Sequence, residues 1–327
     1  MERRCLLAGL GAAALLPAPA VAQTGAQTGA QAFPSRPLRL IVTWPPGGTT
    51  DILARQLAPQ LSARLGQPVV IENRGGASGA IGAAELARAP NDGHSFGMVT
   101  STVISAALLS RTAYDPLRDL TPILLLARVA NILVVNPSLP VRTVPELIAL
   151  AKARPGQLTF GSPGIGSAVH ISGEMFKLAA GVDMVHAPYR GGGPALADVV
   201  AGHLQLIFGN ASSTLPFVRE GSLRAVAVTS SRRAAYLPEV PTIAEALPGF
   251  AIDEWYGVLG PGGMPPAVVE RLNAAFMDIV TQPDERARLL EGGAEVAGGT
   301  PEAFRAFMAE EVDKIGAVVR DAHITVE

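Results

Sequence analysis

Cysteine and charged residues are scarce in this chain of 327 residues. Cys5 is the only cysteine, so the chain cannot form an internal disulfide bond. Charged residues make up 17% and the formal net charge is −2, which argues against a protein that binds nucleic acid through a basic surface. Hydrophobic residues make up 48%, which is enough for a large core and for two domains of ordinary size.

The sequence signatures of several enzyme classes are also missing. The five histidines show no metal-ligand spacing and no HExxH motif, and no serine lies in a G-x-S-x-G turn. There is no GxxxxGK[ST] motif for nucleotide phosphates, and the GIGSAV segment lacks the third glycine of a dinucleotide-binding fingerprint. We therefore expect no catalytic residue, no metal site and no cofactor.

The N-terminal segment is typical of a secretory signal peptide. Arg3-Arg4 precedes a short apolar stretch over 5–16, and Ala20-Val21-Ala22 is a small-residue cleavage pattern. We expect cleavage near Ala22, which leaves a flexible leader over 23–35 and a periplasmic protein without cysteine. The arginine pair leaves the choice between general and twin-arginine export open.

The stretch over 40–55 (LIVTWPPGGTTDILAR) predicts an anion site. An apolar strand over 40–42 leads into a turn with two glycines, and Thr49, Thr50 and Asp51 are candidate N-cap residues of a helix. This order places free backbone N–H groups at the positive end of a helix dipole. The same pattern also fits an ordinary strand-to-helix turn. Residues 44–51 are called the first loop below.

A second stretch repeats this design. A strand over 158–161 leads into the second loop, residues 162–167 (SPGIGS), and a helix is predicted from Ala168 to Ala180. Elsewhere strands and helices also alternate, which predicts a mostly parallel, doubly wound sheet. The helix after the first loop is expected to end at Gly66 and to be kinked or broken at Pro59.

The order of elements predicts two lobes. Helices predicted after residue 266 form a tail, which we expect to return to the first lobe over 36–129 and 258–327. The second lobe then covers 130–257, with two segments crossing between the lobes near 130–135 and 252–258. Ligands of such sheets bind outside the carboxyl ends of the strands, so we expect a cleft between the lobes.

Six segments resemble, in order, the Bug-type extracytoplasmic solute receptors, the binding components of tripartite tricarboxylate transporters. They are PPGGTTDILAR, VIENRGGASGAIGAAELARAPNDGHSF, FGSPGIGSAVHISGEMF, PYRGGGPALADVVAGHLQLIF, LRAVAVTSSRRAAYLPEVPTIAE and WYGVLGPGGMPPAVVERLN. The resemblance covers essentially the whole chain after the signal peptide. It implies an α/β type II periplasmic-binding-protein fold, in which two doubly wound lobes close over the ligand.

The resemblance also implies that backbone amides of the two loops hold a small organic carboxylate, often through water. Family members often have Phe or Tyr where this chain has Trp44, and Asp where it has Asn210, so we expect the choice of ligand to be set there, above all at Trp44. The residues carried over as ligand-binding are Trp44, Gly47, Gly48, Thr49, Thr50, Asp51, Ser101, Thr102, Ser162, Gly164, Gly166, Ser167, Tyr189 and Asn210.

Some of these residues have a second interpretation. Asp51 either contacts the ligand or only caps its helix and orients the first loop. Ser167 either caps its helix or presents its N–H to the cleft. We expect Trp44 to form a wall of the cleft and Tyr189 to reach into it. Three further residues are expected to pack in the core: His170, Trp255 and Tyr256.

The sequence favours a monomeric exported receptor that captures a small carboxylate and presents it to a permease of the tripartite type or to a sensor. Dicarboxylates, tricarboxylates, acidic amino acids and aromatic acids all fit two opposed amide loops. One alternative is an exported α/β enzyme acting on an anionic substrate. Another is a cytosolic ligand-sensing domain of a regulator. No nucleic-acid partner is expected.

Overall fold

A computed structural model describes residues 33–325. The predicted signal peptide over 1–22 and residues 23–32 of the predicted leader lie outside this range. Within the described range, every helix is too short or too polar to cross a lipid bilayer.

Strands and helices alternate along most of the described chain. The strands are β1 (Leu38–Val42), β2 (Val69–Asn73), β3 (Ser95–Thr100), β4 (Leu120–Val135), β5 (Thr159–Ser162), β6 (Val185–Pro188), β7 (Leu206–Asn210), β8 (Arg224–Val228), β9 (Asp253–Pro261) and β10 (Glu295–Val296). The helices are α1 (Thr49–Leu65), α2 (Ala80–Ala87), α3 (Thr102–Leu109), α4 (Val144–Ala153), α5 (Ala168–Ala180), α6 (Gly192–Val200), α7 (Ala211–Arg219), α8 (Pro266–Val280), α9 (Pro283–Glu291) and α10 (Pro301–Asp321).

Local signals define the ends of α4 and α5, and α5 has the predicted bounds of Ala168 to Ala180. Thr143 and Glu146 form a reciprocal capping box at the start of α4. At the start of α5, the side chain of Ser167 accepts a hydrogen bond from the N–H of His170. Gly181 ends α5 with a left-handed backbone (φ 61°), which a glycine adopts without steric cost.

The helix after the first loop differs from the prediction at Pro59. Helix α1 continues from Thr49 to Leu65 through this proline, so the predicted break is wrong. Pro59 lies on the exposed face of α1, so the carbonyl of Arg55, which loses its usual partner, is turned towards water. The predicted end at Gly66 is confirmed by its left-handed backbone (φ 71°).

Strand β4 is shared by two halves of the sheet. Its residues Leu120 to Ala130 pair with β9, whereas residues 131–135 pair with β7 and β8. The strand order is β2-β1-β3-β9-β4 on one side and β4-β7-β5-β6 on the other. The change of partners at residues 130–131 is where the chain crosses from one half to the other.

The sheet is mixed rather than mostly parallel. The outer pairs β1–β2, β1–β3, β5–β6 and β5–β7 are parallel, as expected from strand–helix alternation. Strands β4 and β9 are antiparallel to each other and to their other neighbours, including β3 and β7. The physical reason is that β4 and β9 carry the crossing connections, so they are not part of the repeated strand–helix–strand units.

Several elements were not predicted from the sequence: α3, α7, β6, β10 and the first part of β4. Within β4, only the crossing segment near 130–135 was predicted. Nearly every residue of β4 is buried, and a continuous apolar run has no period that distinguishes a strand from a helix.

The C-terminal helix α10 packs on the first half of the sheet. Trp255 of β9 is fully buried, lies edge-on against Phe304 at a ring-centroid distance of 5.5 Å, and donates a hydrogen bond to Glu311 at 3.2 Å. The prediction that Trp255 is a core residue is confirmed. These contacts anchor the helical tail to the strand that crosses between the halves.

Candidate functional site

A cavity with a volume of about 1050 Å³ lies between the two halves of the sheet. Helices α1, α3, α5, α6 and α7 all begin at its wall. The first N–H groups of a helix have no partner within the helix, and the helix dipole is positive at that end. The backbone at these helix starts therefore contributes positive potential at the cavity wall.

The first loop is held in shape by Asp51. Its carboxylate accepts hydrogen bonds from the N–H of Gly47, from Nδ2 of Asn73 and from Nε of Arg55, each at 2.9 Å. The bond from Arg55 is the main reason why the pKa of Asp51 is lowered to about 2. Asp51 is 3% exposed and does not line the cavity, which supports the interpretation that it orients the loop.

Helix α1 begins at Gly48, which has an extended backbone (φ −81°, ψ 167°) and no side-chain cap. The prediction that Thr49, Thr50 or Asp51 is the N-cap is therefore wrong, because these three residues form the first helical turn. The N–H groups of Thr49 and Thr50 have no acceptor within the helix, and both residues line the cavity.

A chain of side-chain hydrogen bonds lies beside the first loop. Nε1 of Trp44 donates to Oγ1 of Thr100 at 3.3 Å, and this hydroxyl is 2.9 Å from Oγ1 of Thr102. All three residues line the cavity, which agrees with the expectation that Trp44 forms part of its wall. Ser101 lies between the two threonines, but it is buried and does not line the cavity.

The second loop is closed by hydrogen bonds of its own. The N–H of Gly164 donates to Oγ of Ser162 at 3.1 Å, and the N–H of Gly166 donates to Nδ1 of His170 at 3.1 Å. Oγ of Ser167 donates to the carbonyl of Gly164 and accepts from the N–H of His170. Both glycine amides therefore have acceptors inside the protein, contrary to the expectation that they face the ligand.

Two stacked histidines support this loop from behind. The rings of His170 and His186 are 3.9 Å apart, and Phe160 stacks on His186. Burial lowers the pKa of His170 to about 3 and that of His186 to about 4, so both rings are neutral at pH 7. A neutral His170 can accept the N–H of Gly166, which confirms that His170 is a packing residue.

The opposite wall contains the start of α6. Tyr189, Arg190 and the glycines at 191–193 line the cavity there. The hydroxyl of Tyr189 is bonded to Asp198, so the ring rather than the hydroxyl faces the cavity. Among the described residues that line the cavity, Arg190 is the one cation.

Hydrogen bonds join the two halves across the cavity. Oγ1 of Thr49 on α1 lies 2.9 Å from Oγ of Ser212 on α7. Asn210, which caps α7 with its side-chain oxygen, is 3.4 Å from the hydroxyl of Tyr256 on β9. Tyr256 is buried, as expected of a core residue, but it also forms part of the cavity wall.

A carboxyl group forms part of the cavity floor. Glu254 lies on β9, is half-buried, and lines the cavity together with Tyr256. Burial raises the pKa of Glu254 to about 7, while hydrogen bonds with Thr100 and Asn210 lower it.

The cavity brings nine of the predicted ligand-binding residues together and leaves five outside its wall. Those at the wall are Trp44, Gly47, Gly48, Thr49, Thr50, Thr102, Ser167, Tyr189 and Asn210. Those outside it are Asp51, Ser101, Ser162, Gly164 and Gly166.

Other wall residues were not identified from the sequence. Ser78 follows β2 in a glycine-rich turn that repeats the design of the first loop, so the same reasoning could have found it. The glycines at 191–193 lie at the start of α6, and their sequence pattern is the same as that of the first loop. Nothing in the sequence pattern pointed to Glu254 or Tyr256, because both belong to a strand that reads as core.

A second cavity of about 400 Å³ lies near the crossing segments, and Asp253, Ser230 and Arg232 are among the residues that line it. It also contains Arg128, whose guanidinium stacks over the ring of Phe307 at 4.4 Å. One helix, α10, begins at its wall, where Ala303 belongs to the first helical turn and donates its N–H to Oγ1 of Thr300. The second cavity therefore lacks the several helix starts that surround the larger one.

Comparison with known proteins agrees with this geometry. Residues 53–324 match the family model described as "Tripartite tricarboxylate transporter family receptor". A protein of Pseudomonas sp. (strain P51), described as "UPF0065 protein in tcbD-tcbE intergenic region", is 39% identical over 94% of both chains. Protein BugT of Bordetella pertussis is 36% identical over 92% of this chain and 94% of its own length.

Solved structures share the fold. "R. palustris Rpa4515 with adipate" has a TM-score of 0.81 and 38% identity, and covers 90% of this chain and 99% of its own. "MatC (Rpa3494) from Rhodopseudomonas palustris with bound malate" has a TM-score of 0.78 and 32% identity. The match covers 88% of this chain and 100% of that chain. The periplasmic binding protein BugD has a TM-score of 0.79 and 31% identity, and the match covers 90% of this chain and 100% of that chain.

These matches confirm the resemblance and the two-lobed periplasmic-binding fold. They also confirm the expectation that the protein binds a solute and is not an enzyme, because the family consists of receptors. The chain belongs to the tripartite tricarboxylate transporter receptor family.

Proposed function

We propose that this protein is an exported receptor that captures a small organic carboxylate in the larger cavity and presents it to a membrane permease or to a sensor. The observation that carries the proposal is the ring of helix N-termini around the cavity. Two relatives of the same fold are described with adipate and with bound malate, which supports a carboxylate for this chain.

The proposed contacts differ in part from those expected from the sequence. On one side, the N–H groups of Thr49 and Thr50 bind one carboxylate at the start of α1. On the other side, the amides of Gly192 and Gly193 at the start of α6 replace those of the second loop, whose amides are bonded within the protein. Hydroxyl groups of Thr102 and Ser212 and the side chain of Arg190 complete the set. Trp44 forms the adjoining wall, where it limits the shape of the ligand.

Four such N–H groups are sufficient for useful affinity. Each hydrogen bond to a charged group contributes about 1.5–3 kcal/mol, so four contribute roughly 6–12 kcal/mol. Helix dipoles add about 0.3–1 kcal/mol each, and more when partly buried. Association costs about 4 kcal/mol or more, whereas micromolar affinity requires about 8 kcal/mol. The sum reaches the micromolar range when the cavity closes and excludes water.

We expect carboxylates to stabilise the folded protein in a thermal-shift screen. An acid present at 100 times its Kd adds about 2.7 kcal/mol to the free energy of unfolding, which raises the Tm by roughly 5 °C. The screen would include adipate, malate and citrate, with neutral glucose as the control. If glucose raises the Tm and none of the acids does, the proposed function is wrong.

We also propose that the two lobes close on the ligand. The first lobe would comprise residues 36–129 and 258–327, and the second would comprise 130–257. The hydrogen bonds of Thr49 with Ser212 and of Ser105 with the carbonyl of Gly166 already join the two sides, which supports closure about the crossing strands.

Closure predicts a smaller radius of gyration in small-angle X-ray scattering when an acid from the screen saturates the protein, since closing a hinge brings the lobes together. Glucose serves again as the control. Scattering curves that superpose with and without a saturating acid would contradict closure.

Export and partners complete the proposal. Cleavage near Ala22 would release the mature receptor into the periplasm, where BugD is described as a binding protein. A monomer is proposed, with a permease of the tripartite type as the partner that receives the ligand.

A further inference from the structure

Glu254 lies at the floor of a cavity that is otherwise suited to bind anions. Side chains alternate along a strand, so neighbours on β9 face opposite sides. Asp253 lines the second cavity and Trp255 is in the core, whereas Glu254 and Tyr256 line the ligand cavity. When ionised, Glu254 would therefore repel a carboxylate bound at the helix N-termini around it.

The surroundings of Glu254 favour its neutral form. Within residues 33–325 it forms no salt bridge, and the uncharged side chains of Thr100 and Asn210 lower its pKa less than burial raises it. Burial raises the pKa of Glu254 to about 7. Near neutral pH, the protonated form of Glu254 is therefore well populated in the free protein.

The other titratable groups near Glu254 either have a pKa outside the range in which Glu254 titrates or face a different cavity. Arg190 at the cavity wall stays cationic, and the pKa values of Tyr189 and Tyr256 are raised. Asp51, His170 and His186 titrate at about pH 2, 3 and 4. Asp253, with a pKa of about 6, faces the second cavity, and the charged groups that act on it are Arg128, Glu295, Glu311 and Lys314.

A bound carboxylate changes the balance at Glu254. A nearby negative charge favours the protonated form, as in paired carboxyls that share one proton. The protonated carboxyl is also a hydrogen-bond donor, and a carboxylate is a strong acceptor. The same group that repels the ligand when ionised therefore binds it when protonated.

We propose that Glu254, in its protonated form, donates a hydrogen bond to a carboxylate of the bound ligand, so that ligand capture takes up a proton from solution. This inference rests on the proposed function. It makes Glu254 a residue that selects the ligand, because the position favours a carboxylate over an ammonium group, which would require an ionised partner.

The test is isothermal titration calorimetry with adipate, or with malate if adipate does not bind, between pH 6 and pH 9. Both carboxyls of these acids ionise below pH 6, so from pH 7 upward their own titration contributes little. Above pH 7 the free protein must take up a proton before it binds, so the Kd is expected to rise about tenfold per pH unit and to level off below pH 7. Titrations in phosphate and in Tris, which differ in ionisation enthalpy, are expected to show an uptake approaching one proton per ligand at pH 9.

The Glu254→Gln variant is the matched control. Its amide keeps an N–H donor but cannot titrate, so we expect a Kd that changes by less than about twofold across the pH range and no proton uptake. Wild-type protein that binds the acid with the same flat pH profile as E254Q overturns the inference but leaves the proposed function standing. An affinity that rises with pH also overturns it. If no acid of the screen binds at any pH, the proposed function fails and the inference fails with it.

Discussion

Replacing Asp51 with alanine is expected to weaken carboxylate binding by about a hundredfold or more while the protein stays folded. The carboxylate accepts hydrogen bonds from the N–H of Gly47 and from Asn73, and it forms the ion pair with Arg55. In D51A the N–H of Gly47 and the side-chain amide of Asn73 lose their charged acceptor, and each hydrogen bond to a charged group contributes about 1.5–3 kcal/mol. Without these bonds the first loop relaxes, which displaces the amides at the start of α1 that are proposed to bind the ligand.

Calorimetry with the best acid of the screen measures this loss, and circular dichroism checks the fold. The matched control is Arg55→Ala, which removes the exposed partner of the ion pair but leaves the carboxylate bonded to Gly47 and Asn73. Exposed ion pairs contribute about 0–1 kcal/mol, so R55A should change the affinity less than about fivefold. Equal losses of affinity in D51A and R55A would show that the hydrogen bonds of Asp51 with Gly47 and Asn73 do not determine ligand binding.

The pKa of Asp51 also predicts how acid affects the loop. This pKa is lowered to about 2 in the folded protein, below the ordinary value of 3.8. A carboxyl with a lowered pKa contributes stability that is fully present above about pH 4 and is lost as the pH falls towards 2. The first loop should therefore keep its shape throughout the pH range used to test Glu254.

Replacing Gly48 with valine is expected to abolish binding, with a loss of a hundredfold or more, and to leave the fold intact. Gly48 has backbone angles that any residue adopts, and an added Cβ would meet only the carbonyl of Pro45, at 3.9 Å. The residue lines the cavity directly before the free amides of Thr49 and Thr50. An isopropyl group there occupies space that the ligand's carboxylate needs.

The matched control is Ala63→Val, an exposed position near the far end of the same helix. It introduces the same β-branched residue at a position of the same helix that does not line the cavity. Unaltered affinity in G48V would show that the start of α1 is not the binding site. Gly164 is a poorer choice for this test, because its φ of 143° strains any residue with a Cβ and the fold itself would change.

The first loop is a part of the site that could be predicted from local sequence patterns. An apolar strand, two glycines and a helix start were enough to predict an anion site there, and Thr49 and Thr50 do line the cavity. The ends of α4 and α5 were predictable for the same reason, since caps and left-handed glycines act over a few residues.

The second loop is a part of the site that local sequence patterns predicted incorrectly. Its glycines follow the same pattern, but the N–H of Gly166 is bonded to His170 and that of Gly164 to Ser162, which His186 contacts in turn. His186 comes from a strand that was not predicted. Whether an amide is free for a ligand therefore depends on neighbours that are distant in the sequence.

Local order in the chain thus fixed which segments could present backbone N–H groups: a strand, a glycine turn and a helix start need only adjacent residues. The packing of the two lobes selected which of those N–H groups remain free and placed the starts of α1 and α6 at one cavity. The same packing brought Glu254 from a crossing strand to the cavity floor, where burial sets its pKa near neutrality. Hydrogen-bond competition and desolvation arise between residues far apart in the sequence, so they emerge only when the chain has folded.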